Sequence, residues 1–521
     1  MEEIKAADHG ESQPRDERNA SAVDVPINAS GHTQELRRHF NLLSLAGIGL
    51  VVGNVWPAIG GSILVAIFNG GPPGVLYEFV AVSLFYWCVA LSVAELASAM
   101  PSSAGVYHWA SVTPGGSGWG RPVGFFAGWW NYLAWVLGAA SMTSIFSNTI
   151  VQMYAVTHAG FEAKAWHVFV VYVITTGLAC AATCLANGAM PALNKFGVFA
   201  VISFFVVTIV VVTVMPGLDG QMGHAPSAFV WADWTADIGY PDGFVFVAGM
   251  LNGAYSVGAV DAVTHLAEEI PHPSRNVPLA LACQVSIGFV TGLAYLIAIL
   301  YAISDPDALA DSPYPIAEIY RQATGSGAGA AGLLSLIMVC IGLCVVGLHV
   351  TCGRTLWALA RDGAAPLPRY LARVAPSSHV PVLSTLVSAV LIAVLGAIYV
   401  GSTTAFNAFV SSFILLSTSS YLACLVPHLL TRRRSIPTRD VFFRMPEPMG
   451  FLVNGVACAY MLVWGVIYSF PFALPTDAQS MNYASLIWGG FTVLVGVVWF
   501  AGARKGYTGP LGALEGVSSG S

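Results

Sequence analysis

The sequence predicts an all-α, polytopic membrane protein with twelve transmembrane helices, and three observations carry that prediction. Of 521 residues, 56% are hydrophobic and only 9% charged, with a mean hydropathy of +0.70, whereas soluble domains are about a quarter charged. Apolar runs of roughly bilayer length recur at 40–68, 73–99, 123–155, 166–187, 192–214, 243–269, 279–303, 328–356, 381–400, 404–430, 450–471 and 484–503. With a cytoplasmic N-terminus, all of the 21 Lys and Arg except Lys164 and Arg321 fall on the inside, the bias expected of cytoplasmic loops. Dropping one span scrambles that sorting. So few charges exclude a nucleic-acid role, and the lipid bilayer is the first partner.

In chain order, the tail 1–39 is polar and expected to be a disordered cytoplasmic segment. The first helix, NLLSLAGIGLVVGNV from Asn41 to Val55, places Gly47, Gly49 and Gly53 in mid-span. The second ends ELASAMPSSAGVYHW, where Glu95 lies near the cytoplasmic surface, Pro101 stops the helix and Gly105 permits a tight re-entry. The third offers Trp129, Trp130 and Asn131, and the eighth His349. The stretch from Phe244 to Pro278, FVFVAGMLNGAYSVGAVDAVTHLAEEIPHPSRNVP, organises the rest. It loses helix formers at Ser256, Val257 and Gly258, then resumes with Asp261, His265, Glu268 and Glu269. Residues 40–430 form the expected ten-helix core. The basic connection 431–449 is expected against the anionic inner leaflet; 450–503 holds two peripheral helices and 504–521 a second cytoplasmic tail. The outer loops carry acids, among them Asp233, Asp237, Asp242 and Asp305.

Helices 1 and 6 open successive groups of five, and Gly-interrupted spans at corresponding places point to a binding site between inverted repeats. The plainer alternatives are close packing at the glycines and an ordinary kinked helix whose Asp261 caps its lower half. Carbonyls at the end of the upper half-helix, by Tyr255, suit a cation, and Trp129, Trp130 and Asn131 add aromatic faces and an amide. Asp261 and His265, four apart, share a helical face with Glu268 and Glu269 and suit proton relay, with Asp261 either partner to a bound cationic substrate or the proton site. His349 is a second coupling candidate, with a His satisfied by a neighbouring carbonyl as its alternative. Glu95, Glu268 and Glu269 can pair with Arg275 and Arg354 as an inner gate, each surface pair on the order of 1 kcal/mol or less. The nine cysteines lie in apolar segments and read as packing residues. There is no zinc pattern, HExxH or nucleotide-binding Gly loop, so no metal, cofactor or enzyme is expected.

These motifs resemble the amino acid, polyamine and organocation (APC) transporter superfamily. Gly47-Ile-Gly49 is similar to its helix 1 signature. Glu95-Leu-Ala-Ser-Ala-Met-Pro101 with Gly105-Val-Tyr107 resembles the loop after helix 2, Glu268-Glu269-Ile-Pro271 through Arg275-Asn-Val-Pro278 the loop after helix 6, and Arg354 with Ala360-Arg361-Asp362-Gly363 and Pro366 the loop after helix 8. Asp261-Ala-Val-Thr-His265, His349, Gly401-Ser-Thr-Thr-Ala-Phe-Asn-Ala-Phe409 and Tyr468-Ser-Phe-Pro471 suggest the fungal amino acid and choline permeases. Val106 departs from the pattern, where many relatives have a second Gly. The resemblance implies a five-plus-five inverted-repeat core with discontinuous helices 1 and 6, in which Gly47, Ile48, Gly49, Tyr255, Ser256, Val257 and Gly258 supply the substrate contacts. The expected function is that of a plasma-membrane permease moving choline or a related amine by alternating access, with 4-aminobutyrate or another neutral amino acid as the alternative substrate and protons, through Asp261 and His265, as the coupling partner. A nutrient sensor is the remaining alternative, and would be expected to carry a long cytosolic extension.

Overall fold

The computed structural model of the chain describes residues 42–63, 69–158, 160–218, 223–376, 378–401, 405–438, 441–507, 509 and 510. The expected tail at 1–39 and most of the second tail lie outside the described residues. Within them the elements run α1 (Leu42–Gly53), α2 (Val55–Gly61), α3 (Gly71–Ala99), α4 (Val106–Val112), α5 (Gly120–Ala155), α6 (Ala165–Leu185), α7 (Met190–Val214), α8 (Ser227–Trp231) and α9 (Asp242–Val257). A 3-10 helix, Ala262–Glu269, follows. Then come α10 (Pro273–Tyr301), α11 (Pro306–Ala310), α12 (Pro315–Thr324), α13 (Gly327–Arg361), α14 (Pro368–Leu371), α15 (Val382–Gly401), α16 (Ala405–Leu430), α17 (Glu447–Ile467), α18 (Ala484–Val498) and α19 (Arg504–Gly506). Among the described residues no strand forms.

Eleven stretches of the described residues are long and apolar enough to cross a bilayer. The ninth expected span corresponds to α15, whose apolar part, Val382–Ile398, is shorter than the others. Burial separates centre from periphery: 94% of the Ser44–Gly61 window and 83% of that in Gly120–Ala155 are buried, against 22% for Asn187–Gly217 and 11% for Ala484–Gly506. The outer helices present Val206, Val210, Val493 and Phe500, an apolar surface that only lipid solvates without cost. α5 and α13, at 36 and 35 residues, are each more than 50 Å long, roughly, at 1.5 Å per residue. They outlast the ~30 Å hydrocarbon layer.

The first helix breaks later than its glycines suggest. α1 runs regularly through Gly47, Ile48 and Gly49, and the interruption is Asn54 (φ 21°, ψ 47°), between α1 and α2. The glycines serve packing instead. A Cβ on Gly47 would stand 2.8 Å from the Asn194 carbonyl oxygen of α7, and one on Gly49 3.0 Å from Gln284 Oε1 of α10. Asn enters positive φ more readily than most residues, and Pro57 has no N–H to offer the carbonyl of Gly53.

The sixth span breaks close to the expected place. α9 ends at Val257, Gly258–Asp261 is non-helical, and the lower half is 3-10 rather than α-helical. The Ala259 carbonyl freed by the break accepts from Gln284 Nε2 at 2.9 Å. A Cβ on Gly53 would come within 2.7 Å of the same Nε2. One glutamine from α10 thus lies against both interruptions, which places them side by side.

Candidate functional site

Between the two breaks lies a cavity of about 20 Å³, room for roughly one water molecule. α1 and α2 contribute Val52, Gly53 and Ala58; the broken sixth span contributes Tyr255, Ser256 and Ala259. Trp135, Gly138 and Met142 of α5, Leu348 of α13 and Phe413 of α16 complete it. Three aromatic rings converge here: Phe413 lies 5.9 Å from Trp135, centroid to centroid, and 5.9 Å from Tyr255, both edge-on. The Tyr255 hydroxyl is paired with Ser141 Oγ at 2.7 Å.

Below the cavity, Asp261 is fully buried and its carboxylate is surrounded by donors. Tyr421 OH donates to Oδ1 at 2.5 Å. Asn131 Nδ2 and Trp135 Nε1 donate to Oδ2 at 2.7 and 3.4 Å, and His265 Nε2 lies 3.2 Å from the same oxygen. A buried charge survives only when paired and hydrogen-bonded, and these four groups provide that. The side chain does not cap the 3-10 helix, which disposes of the plain capping alternative. On its far side, His265 Nδ1 lies 3.3 Å from both the Ser103 carbonyl and Thr355 Oγ1. Gly105 makes this approach possible at φ 50°, where an added Cβ would sit 3.0 Å from Thr264 Oγ1.

Not every candidate joins the site. Gly47 and Gly49 face α7 and α10, and Ile48 lines a separate recess with Met190 and Arg354. The first helix meets the cavity one turn later, at Val52 and Gly53. Trp130 turns outward, donating to Thr492 Oγ1 at 2.9 Å and stacking on Trp488 of α18, because adjacent helical residues point about 100° apart and Asn131 takes the inward direction. Val257 and Gly258 sit at the break without lining the cavity. His349 Nδ1 is bonded to the Val345 carbonyl at 2.8 Å within its own helix, and its Nε2 has no hydrogen-bond partner among the described residues. Nothing described links it to Asp261.

The three acids expected at an inner gate all form ion pairs, but mostly with other arginines than expected. Glu269 pairs with Arg354, which also donates to Asn187 Oδ1 at 3.3 Å. Glu268 pairs with Arg361 at 3.2 Å and accepts from the Ser103 N–H at 3.3 Å. Glu95 pairs with Arg433 and accepts from the Met445 N–H at 3.2 Å. The pairs are almost wholly buried, Arg361 being the most exposed at 8%, so the small value of a surface pair does not apply. Removing one partner of a buried pair costs about 3–5 kcal/mol. Arg275 is exposed and forms no ion pair among the described residues; its guanidinium lies over Phe442, 5.6 Å from the ring centre. Arg433, within the segment expected along the leaflet, is instead 1% exposed.

Residues 40–491 match the family model described as amino acid permease. The choline transporter of Saccharomyces cerevisiae is 32% identical over 508 residues, covering 97% of this chain and 86% of the relative. The chain belongs to the amino acid permease family. That family lies within the superfamily its loop motifs resemble, and it makes the chain an integral membrane transporter of amines or amino acids. Other similar permeases include amino-acid permease BAT1 of Arabidopsis thaliana, 26% identical with 94% of this chain and 96% of the relative covered. The GABA-specific permease of Saccharomyces cerevisiae is 26% identical, with 92% and 84% covered.

Several residues of this permease's site escaped the sequence reading. Trp135, Gly138 and Met142 follow the expected Asn131 at i+4, i+7 and i+11, one face of a helix, so periodicity on α5 separates Trp135 from Trp130. Phe413, Tyr421, Ser141 and Thr355 carry no comparable local signal. Glu78, in α3, is 1% exposed and neither carboxyl oxygen has a partner among the described residues. It lies against Gly249 of α9, where an added Cβ would come within 2.2 Å of Oε1.

Proposed function

We propose that this permease is a secondary transporter carrying choline or a closely related amine by alternating access, coupled to protons. The observation behind the substrate class is the convergence of Trp135, Tyr255 and Phe413 on one cavity at the two helix breaks, with a buried carboxylate beneath. Aromatic faces attract quaternary ammonium groups, and Asp261 supplies the counter-charge. The 32% identity to a choline transporter supports the same reading. With room for one water, the cavity must widen before a solute enters, and the buried pairs at the inner gate then separate.

The proton reading rests on His265. Neutral, with its proton on Nε2 toward Asp261, it accepts at Nδ1 from the Thr355 hydroxyl. Doubly protonated, it donates from Nδ1 to the Ser103 carbonyl, while Thr355 keeps its bond to the Thr351 carbonyl at 2.8 Å. Both protonation states find partners without moving the ring, which suits a group that gains and loses a proton each cycle. In this reading both termini are cytoplasmic in the plasma membrane, ten helices form two inverted repeats, and α17 and α18 are peripheral.

A neutral amino acid such as 4-aminobutyrate is the second reading, favoured by the similarity to a GABA-specific permease. Uptake of labelled choline and 4-aminobutyrate in cells lacking their own carriers, with and without a proton uncoupler, separates the two. Choline uptake abolished by the uncoupler is the expected result; uptake of 4-aminobutyrate alone overturns the amine assignment, and indifference to the uncoupler overturns the coupling.

A further inference from the structure

Arg275 is a candidate partner for the acids at the inner face, and those acids pair without it. It lies instead over Phe442, one of the residues that line an apolar groove of about 340 Å³ between α3 and α10. The small side chains of Ala90 and Ala94 on α3 and Ala282 on α10 hollow it out. Trp87 closes one end, and Phe442 and Phe443, from the connection between α16 and α17, close the other. That connection is pinned there: the Phe443 N–H donates to Ser98 Oγ at 2.9 Å and the Met445 N–H to Glu95. Phe442 is 53% exposed and Trp87 36%, so the groove opens sideways along its length.

We propose that this groove holds one acyl chain of an anionic phospholipid from the surrounding leaflet, with the head group against Arg275. Two dimensions support the chain. Trp87 lies twelve residues before the end of α3 at Ala99, about 18 Å along the axis, roughly the depth of one leaflet in a ~30 Å hydrocarbon layer. The lining itself runs from Trp87 to Ala94 on α3 and from Pro278 to Ser286 on α10, about 10–12 Å; over that length the groove volume gives a section of about 30 Å², far narrower than a helix some 10–12 Å across, so a protein helix does not fit. The head group follows from charge. Arg275 is exposed, has no carboxylate partner among the described residues, and is held in place over the ring of Phe442. A planar guanidinium so placed matches a phosphate or carboxylate bidentately. The rest of the lining is apolar apart from Ser286. The site is separate from the substrate cavity and stands whether or not choline is the cargo.

Native mass spectrometry of the full chain, released from nanodiscs containing equal phosphatidylserine and phosphatidylcholine, tests the assignment. The expected result is retained phosphatidylserine in excess over phosphatidylcholine. Arg275→Gln reduces that excess about fivefold, the weight of one Arg at an anionic surface, and exposed Ala282→Leu, which fills the groove, lowers retention of both lipids. Equal retention of the two lipids by the wild type, or an unchanged excess in Arg275→Gln, overturns the head-group assignment. Unchanged retention in Ala282→Leu overturns the groove. A monodisperse elution profile for each variant confirms that folding is intact, and recovery of a protein dimer in place of bound lipid makes the groove a subunit contact and also overturns the proposal.

Discussion

Asp261 and Glu78 are both carboxyl groups withdrawn from solvent inside membrane spans, at 0% and 1% exposure, yet their surroundings are opposite. Asp261 sits where a helix has come apart, and four side chains from α5, α16 and the 3-10 helix turn polar hydrogens toward it. Glu78 sits in an unbroken helix against the bare backbone of Gly249, with no hydrogen-bond partner among the described residues. Burial alone therefore says little about what a charged residue contributes. The partners decide it, and the broken helix is what leaves room for them.

The contrast has a graded set of consequences. Asp261→Ala strands the Asn131, Tyr421, Trp135 and His265 groups around a void. Uptake is expected to vanish and stability to fall by about 3–5 kcal/mol, read as the largest drop in melting temperature of the purified protein, with the isosteric Asp261→Asn losing less stability. Glu269→Ala leaves Arg354 buried and unpaired and is expected to cost about 3 kcal/mol. The double change Glu269→Leu with Arg354→Met recovers most of that stability without restoring uptake, and a double variant no better than the single one would show that the pair is not the cause. Trp135→Leu removes one ring of the cavity and one donor to Asp261, raising KM for choline about tenfold, the scale of a desolvated cation–π contact. Trp130→Leu leaves KM unchanged because its ring faces α18; equal effects from the two tryptophans would contradict the geometry. Smallest of all, Glu78→Met is expected to shift stability by less than about 1 kcal/mol or to raise it, since an apolar replacement of an unsatisfied buried carboxyl is commonly neutral. A melting drop equal to that of Asp261→Ala would erase the distinction between the two acids.

Much of the architecture was legible because a lipid environment leaves so little choice. Apolar runs mark the spans, and Pro72, Pro273 and Pro315 stand in first turns, where a missing N–H costs nothing. The broken sixth helix was legible for the same reason: acids beyond a Gly inside an apolar stretch are too costly to be incidental. The first break was not, because Gly serves close packing and unwinding equally well in sequence. The informative pattern was Asn54 followed by Pro57, one residue suited to positive φ and one lacking an N–H. The acids of the three buried ion pairs were legible, but Arg361 and Arg433 were hidden among other arginines, since which guanidinium turns inward depends on loop geometry. Glu78 was passed over because the run around it is so apolar; its presence there was itself the signal.

Glu95 and Arg433 carry one more implication. The acid belongs to the second span, the base to the stretch just before α17, and Gly450 of α17 is bare because any side chain would collide with that guanidinium. This ion pair adds an electrostatic clasp to the aromatic packing of Phe85 and Tyr86 on Tyr460 that already joins α3 to α17. A chain cut after α16 would lose Arg433 together with the Met445 N–H, leaving the Glu95 carboxylate stranded at the inner end of α3. The segment that follows α16 is thereby part of what keeps the inner end of α3 neutralised, not a trim at the edge of the bundle.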